Sequence, residues 1–214
     1  MTRTVIDMLC FVALLFASSV FPVNAQPADR GISSPQEAEI IARLHPGIEP
    51  MDIRVEEDRA YLVNQGPLIF PGVIDLLRNN EDPMTVGTLA GVVTRMEGDR
   101  TALLPAIRAM ALRDQPWARE ICAALLGEVG KPEDCELLMP LLLDTSERVR
   151  MASVNSIAKI GRTNDIERLV AMMKNRSTSL PEADRPSDSL LRQMEGAVQL
   201  LLNRHGLAVT DELE

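Results

Sequence analysis

One spacing limits what this chain can fold into. Gly66, Gly98, Gly130 and Gly161 fall 32, 32 and 31 residues apart. Pro71, Pro105 and Pro140, in F-P-G-V, L-P-A-I and M-P-L-L, keep intervals of 34 and 35. A repeat of about 20 to 50 residues marks a stacked array, because one such unit cannot hide its apolar face alone and must bury it on a neighbour. The stretch Lys131–Gly161 shows what the unit is. Leu138, Leu141 and Leu142 suit one short amphipathic helix, and Val149, Ala152, Ile157 and Ile160 suit a second, near i, i+3, i+4 spacing. Asp144-Thr145-Ser146 between them makes a turn and an N-cap. Gly161 predicts a left-handed C-cap.

The same unit tiles the chain as five helix pairs: 34–66, 67–98, 99–130, 131–161 and 162–206. The first pair is divergent. Ser34-Pro35 opens a helix carrying Ala38, Ile40, Ile41 and Leu44, and Pro46-Gly47 ends it near His45. Residues 51–64 are ambiguous: Ile53 and Val55 alternate like a strand that could pair with A-Y-L-V at 60–63, whereas the glycine series favours a helix ending at Gly66. Each proline of the second series is expected near the start of a pair's first helix, where a missing N–H is tolerated. Second helices are expected to begin near Met84, Pro116 and Glu147. The text N-R-S-T-S-L-P-E-A-D-R-P-S-D at 175–188 predicts a long loop. A last helix follows from about Ser189 to Arg204, with Leu190, Leu191, Met194, Ala197, Val198 and Leu201 inward, and then an acidic tail, 207–214. Only 3% of residues are aromatic, which disfavours a β-sandwich. The expected fold class is all-α: an α-solenoid of about five stacked helical hairpins.

The N-terminus reads as an export signal. Arg3 precedes an apolar run from Leu9 to Val20, and Val23-Asn24-Ala25 offers small residues for cleavage after Ala25. The run is shorter than the roughly 20 residues of a spanning helix. The expectation is a signal peptide over 1–25, a disordered segment over 26–33, a periplasmic or secreted protein, and no membrane span after cleavage. Loss of Arg3 and Asp7 leaves the formal charge of −9 unchanged, a balance that argues against nucleic acid as partner. Cys122 and Cys135 remain. They fall at unmatched levels of neighbouring helices, which favours two buried thiols over a bridge.

The blocks D-T-S-E-R-V-R-M-A-S-V-N-S-I-A-K-I-G (144–161) and D-Q-P-W-A-R-E-I-C-A-A-L-L-G-E-V-G (114–130) resemble HEAT repeats, of the short HEAT-like kind first noted in phycobilin lyases. The resemblance covers roughly 67–206. That pattern places an Asp in the inter-helix turn and a basic residue six positions on. Asp144 and Arg150 match it; Asp114 and Arg119 are one residue closer together. The resemblance implies that Arg119, Asp144 and Arg150 form a structural ladder between neighbouring turns rather than a basic binding ladder. The Trp-Leu-Gly-Tyr pattern of tetratricopeptide repeats and the Thr-Pro-Leu-His signature of ankyrin repeats are missing.

The resemblance also implies that second helices line a concave binding face. Aligned on their terminal glycines, they offer Thr85, Thr88, Val92 and Met96; Trp117, Glu120, Ala124 and Glu128; Arg148, Met151, Asn155 and Lys159; and Gln193, Gly196, Leu200 and Arg204. Trp117 is either a partner anchor or a packing residue that fixes its helix; Met96, Met151 and Leu200 are candidates for an adaptable apolar patch. No chemistry competes strongly. The only histidines are His45 and His205, no His-Glu pair has metal-ligand spacing, and neither a Gly-rich phosphate loop nor G-x-S-x-G occurs. The expected function is a non-catalytic, protein-binding scaffold without cofactor or metal, its partner unspecified. The alternatives are a lyase-type or metal-dependent enzyme, which the resemblance suggests, and a structural component of the envelope.

Overall fold

The computed structural model describes residues 35–44, 53–179 and 187–207. The expected signal peptide, the segment 26–33, and the tail from 208 lie outside the described residues. Among the described residues the chain is all-α, without a strand. In chain order the helices are α1 (Pro35–Leu44), α2 (Ile53–Gln65), α3 (Phe70–Asn79), α4 (Pro83–Arg95), α5 (Leu104–Ala109), α6 (Pro116–Val129), α7 (Cys135–Leu141), α8 (Glu147–Ile160), α9 (Thr163–Ser179) and α10 (Asp188–His205). Short 3-10 turns lie at Gly66–Ile69, Thr101–Leu103, Met110–Leu112 and Pro132–Asp134. The chain divides into two compact units at Ala106–Ile107.

In the first unit α1 packs on α2 and α3, and α4 packs on α2 and α3. Ile40, Leu62, Val73, Leu76, Leu77, Leu89 and Val93 fill its core. The strand-like alternation at Ile53–Val55 belongs to a helix, which Gly66 terminates at φ +53°. The Gln36 side chain ties α1 to the start of α3. Its amide NH2 donates to the Leu68 carbonyl (2.6 Å), and its oxygen accepts from Gly72 N–H (3.2 Å). The approach is close: a Cβ on residue 72 would lie 2.7 Å from Ile40 Cδ1, so the tip of Ile40 would have to shift.

In the second unit α6, α8 and α10 lie side by side and run in the same direction, α7 packs on α6 and α8, and α9 packs on α10. The register of α8 and α10 is fixed at both ends. Ser187 Oγ donates to Glu147 at one end (2.6 Å), and His205 Nε2 lies 3.4 Å from the Gly161 carbonyl at the other. At the crossing of α6 and α8, Ser156 Oγ donates to Ala123 O (2.6 Å) and Gly127 faces the Ser156 backbone. Leu125, Leu126, Leu138, Val154, Ile157, Leu190 and Leu201 are buried around this crossing and its neighbours.

Three local expectations change. Pro71 and Pro105 do sit in the first turns of their helices, but Pro140 lies inside α7, one residue before its end. Pro132 takes the early position instead, and the helix stops beside Pro140 by tightening: Leu142 and Leu143 donate to Met139 O and Pro140 O. Gly161 is extended (φ −63°, ψ 155°), not left-handed. Glycine is required there by space, since a Cβ would lie 2.6 Å from Ile157 O and 3.2 Å from Leu201 Cδ2. Left-handed glycines follow α2 at Gly66 (φ 53°) and α10 at Gly206 (φ 65°) instead. Finally, α9 continues to Ser179, into the stretch expected to be loop, because nothing before Pro181 forbids a helix; residues 180–186 lie outside the described residues.

Candidate protein-binding face

The geometry of the second unit starts at its turns. The turn before α8 is shaped by Asp144, whose Oδ1 accepts from Ser146 N–H (2.8 Å); the Ser146 side chain itself makes no cap bond. On α6, Arg119 reaches into that turn. Its Nε and Nη2 donate to the two carboxylate oxygens of Asp144 at 2.6 and 3.0 Å. Its Nη1 donates backwards to the carbonyls of Arg113 and Asp114, both at 2.7 Å. One guanidinium thus closes its own turn and grips the next, the bidentate fork that arginine suits and lysine does not. Arg150 repeats the first half of this job, donating from Nη1 to Asp144 O (2.7 Å) and Thr145 O (3.2 Å). Burial alone would push the Asp144 carboxyl up, but its bonds from Arg119 and Ser146 outweigh that and hold it below its ordinary value.

The ladder therefore joins successive helix pairs through an Asp in one turn and an Arg of the preceding pair. Residues 104–182 match the family model described as HEAT repeats. That segment is built of HEAT repeats. No curated protein matches the chain in sequence. HEAT repeats typically build helical scaffolds that mediate protein interactions; here Arg119 and Asp144 bond from one helix pair to the next, and Arg150 bonds within its own turn.

The expected stripe residues of the second unit fall on three helices that run in the same direction. Trp117 and Glu120 stand on α6, Arg148, Met151, Asn155 and Lys159 on α8, and Leu200 on α10. Trp117 is half-buried, with the Arg113 guanidinium 6.0 Å from its ring centroid. Burial raises the Glu120 carboxyl, and the charge of Arg148 opposes that rise. Lys159 pairs with Glu128 on α6, and Gln193 on α10 donates to Asn155. Arg204 Nη2 reaches back to Ala158 O (2.6 Å). Met151 is half-buried on this strip, whereas Leu200 is 58% exposed. The end contacts of α8 and α10 place Leu200 level with about Ala158, roughly 10 Å along the axis from Met151. The apolar members are therefore spaced along the strip rather than gathered into a patch.

Met96 does not belong to this strip. It lies in the first unit, 2% exposed, at the C-cap of α4, where its N–H donates to Val92 O and Val93 O. Thr85 and Val92 are buried as well. The reason is register. Gly130 and Gly161 directly follow α6 and α8, but Gly98 comes after a short extended link beyond Arg95. Alignment on the glycines displaces the α4 stripe by two residues, about 200° around the helix, and turns it into the core.

A second set of linking residues was not picked out from the sequence. Asp134 and Asp165, both buried, each accept from the backbone N–H three residues earlier, Lys131 and Arg162, at 2.8 Å. Arg108 then takes Asp134 through two bonds, 2.6 and 3.2 Å, and Arg168 takes Glu136 at 2.7 and 3.1 Å. The signal was legible: Gly-Lys-Pro-Glu-Asp at 130–134 recurs as Gly-Arg-Thr-Asn-Asp at 161–165. Cys122 and Cys135 are both free and buried. Burial pushes each thiol up to about 12, the Asp165 charge adding to the effect at Cys135. Among the described residues no three His, Cys, Asp or Glu side chains gather as a metal site, and no helix is long and apolar enough to cross a membrane.

Proposed function

We propose that this protein is an exported, non-catalytic scaffold of the bacterial envelope or the extracellular space, and that the outward strip of α6, α8 and α10 holds a segment of a protein partner. The observation that carries this reading is the in-register strip itself. Half-buried Trp117 and Met151 stand among the charges of Glu120, Arg148, Lys159 and Glu128 on helices whose spacing is held by the ladder between their turns. An aromatic anchor bordered by charged groups is the usual composition of a binding hot spot. A rigid backing means little ordering cost on association. The acidic balance of the chain favours a partner segment that is neutral or basic.

A photo-crosslinking side chain at position 117, compared with one at the exposed position Leu143, tests the reading in cells. A discrete protein adduct from 117 alone, weakened by Arg148→Glu, is the expected result. Equal adducts from both positions, or a stoichiometric small molecule or metal carried through purification, would replace the scaffold with another function. Fractionation of tagged protein tests export separately: the scaffold reading of the compartment fails if the protein remains full-length in the cytoplasm.

A further inference from the structure

We propose that Glu120 receives a basic side chain of the protein partner, a lysine or arginine whose stem lies between Trp117 and Met151. This inference rests on the proposed binding strip and adds what the partner must bring to it. Elsewhere on the strip, polar groups are committed to a neighbouring helix. Lys159 pairs with Glu128, Gln193 donates to Asn155, and Arg204 donates to Ala158 O. Glu120 differs. It is half-buried, and its carboxylate accepts no hydrogen bond among the described residues; Arg148 acts on it through charge alone. Trp117 stands one turn earlier on the same face of α6. The bonds that fix α8 against α6, Ser156 to Ala123 O and Lys159 to Glu128, put Met151 about level with Glu120. The carboxylate is thus open to solvent between two half-buried apolar side chains.

A carboxylate drawn partly out of water and left without a donor is costly, and burial raises the Glu120 carboxyl accordingly. Two turns on, at Glu128, the protein meets the same need with the amine of Lys159. At Glu120 the matching place on α8 holds Met151, so the donor has to come from outside. A basic side chain suits this place better than a neutral donor. Its apolar stem covers the indole and the thioether while its head reaches the carboxylate. A hydrogen bond between charged groups is about twice as strong as a neutral one. The formal charge of −9 also draws cations toward the chain. Arg148 assists by opposing the rise that burial causes, which keeps the carboxylate ionised. Its loss in Arg148→Glu therefore weakens the same contact.

The probe is a displayed library of short random peptides, selected on the whole folded chain as wild type, Trp117→Ala and Glu120→Gln. Glu120→Gln breaks no hydrogen bond of the protein, and thermal midpoints measured alongside report the fold of each variant. Peptides that bind wild type but not Trp117→Ala report on the strip. With a basic group on Glu120, those peptides are enriched in lysine or arginine beside an apolar residue. Their affinity then falls by roughly tenfold or more on Glu120→Gln, and a fresh selection on Glu120→Lys enriches aspartate or glutamate instead. If the Trp117-dependent peptides carry no basic residue, or bind Glu120→Gln as tightly as wild type, the inference falls while the strip stands. If no peptide depends on Trp117, the strip falls and the inference with it.

Discussion

The two units place an aspartate at the same kind of turn and put it to different uses. In the first, Asp82 precedes α4 and turns back onto it, accepting from Thr85 N–H at 2.8 Å, from the Thr85 hydroxyl at 2.5 Å and from Met84 N–H at 3.4 Å. It caps one helix. In the second, Asp144 precedes α8 and is held by an arginine of the previous helix pair. It joins two layers. The difference lies in the preceding helix pair: Arg119 on α6 reaches forward to the Asp144 carboxylate, whereas the bonds to Asp82 come from the start of its own helix. Without a guanidinium to reach it, the carboxylate satisfies its own helix. Registry between helices in the first unit rests on other bonds: Arg43 to Asp58 (2.8 Å), Arg95 to Glu56 (3.0 Å), and Gln36 to Leu68 and Gly72. The HEAT family match over 104–182 covers the laddered helices and leaves α1 to α4 aside, following the same divide.

The largest expected effect comes from breaking the ladder. Arg119→Met keeps much of the side-chain volume but strands Asp144, whose side chain is only 7% exposed, and leaves two turn carbonyls unpaired. A loss of about 3 kcal/mol is expected in chemical denaturation. Acid should expose the same bond. The folded Asp144 carboxyl lies below its ordinary value, so its stabilisation is complete above the unfolded value near 3.9 and disappears as pH falls through the lower folded value. Wild type should therefore lose more stability than Asp144→Asn on going from about pH 5 to pH 2. Equal slopes for the two proteins would mean that the ladder contributes nothing measurable.

Next in size is the backbone contact beneath the ladder. A Cβ at residue 127 would meet Ser156 Oγ at 2.5 Å and Ser156 Cα at 3.0 Å. The Oγ could rotate away, but the Cα cannot move without separating α6 from α8 and stretching the bond from Ser156 to Ala123. Gly127→Ala is expected to cost about 2 kcal/mol, against the gain alanine normally brings inside a helix. A variant as stable as wild type would show that α6 and α8 can part at little cost.

How much of this was readable beforehand depends on whether local spacing or three-dimensional register decided the matter. The helix pairs, the starts of α6 and α8 and the inward stripe of α10 follow from apolar periodicity and turn residues, which act locally. The Arg119–Asp144 rung was also legible, but only through the resemblance to HEAT repeats, since nothing in a single turn says that its carboxylate will serve another layer. Met96 was misplaced because a glycine is a poor ruler: the extended link between Arg95 and Gly98 rotates the stripe without changing the period. Gly161 by its type suggests handedness, but its role is close contact, a property of the neighbouring Ile157 and Leu201 as much as of the glycine. Arg108 and Asp134 are 26 residues apart and belong to no common local pattern. Their pairing appears only once the layers are stacked.

The smallest effects test the first unit on its own terms. If Asp82 is a local cap and nothing more, Asp82→Ala should cost about 1.5 kcal/mol, half the loss at Arg119, and Asp82→Asn should recover most of it because an asparagine oxygen caps equally well. Asparagine at position 144 should recover far less, since its amide offers one acceptor oxygen where the Arg119 fork engages two. That contrast in rescue separates a cap from an interlayer bond more cleanly than either loss alone. Gly91→Ala gives the complementary control. Nothing lies within 4 Å of a Cβ built at residue 91, so the helix interior should gain roughly 0.5 to 1 kcal/mol, the opposite sign to Gly127→Ala. If both substitutions stabilise, helix propensity outweighs the contact at Ser156; if both destabilise, α4 is packed on the side that the structure shows open.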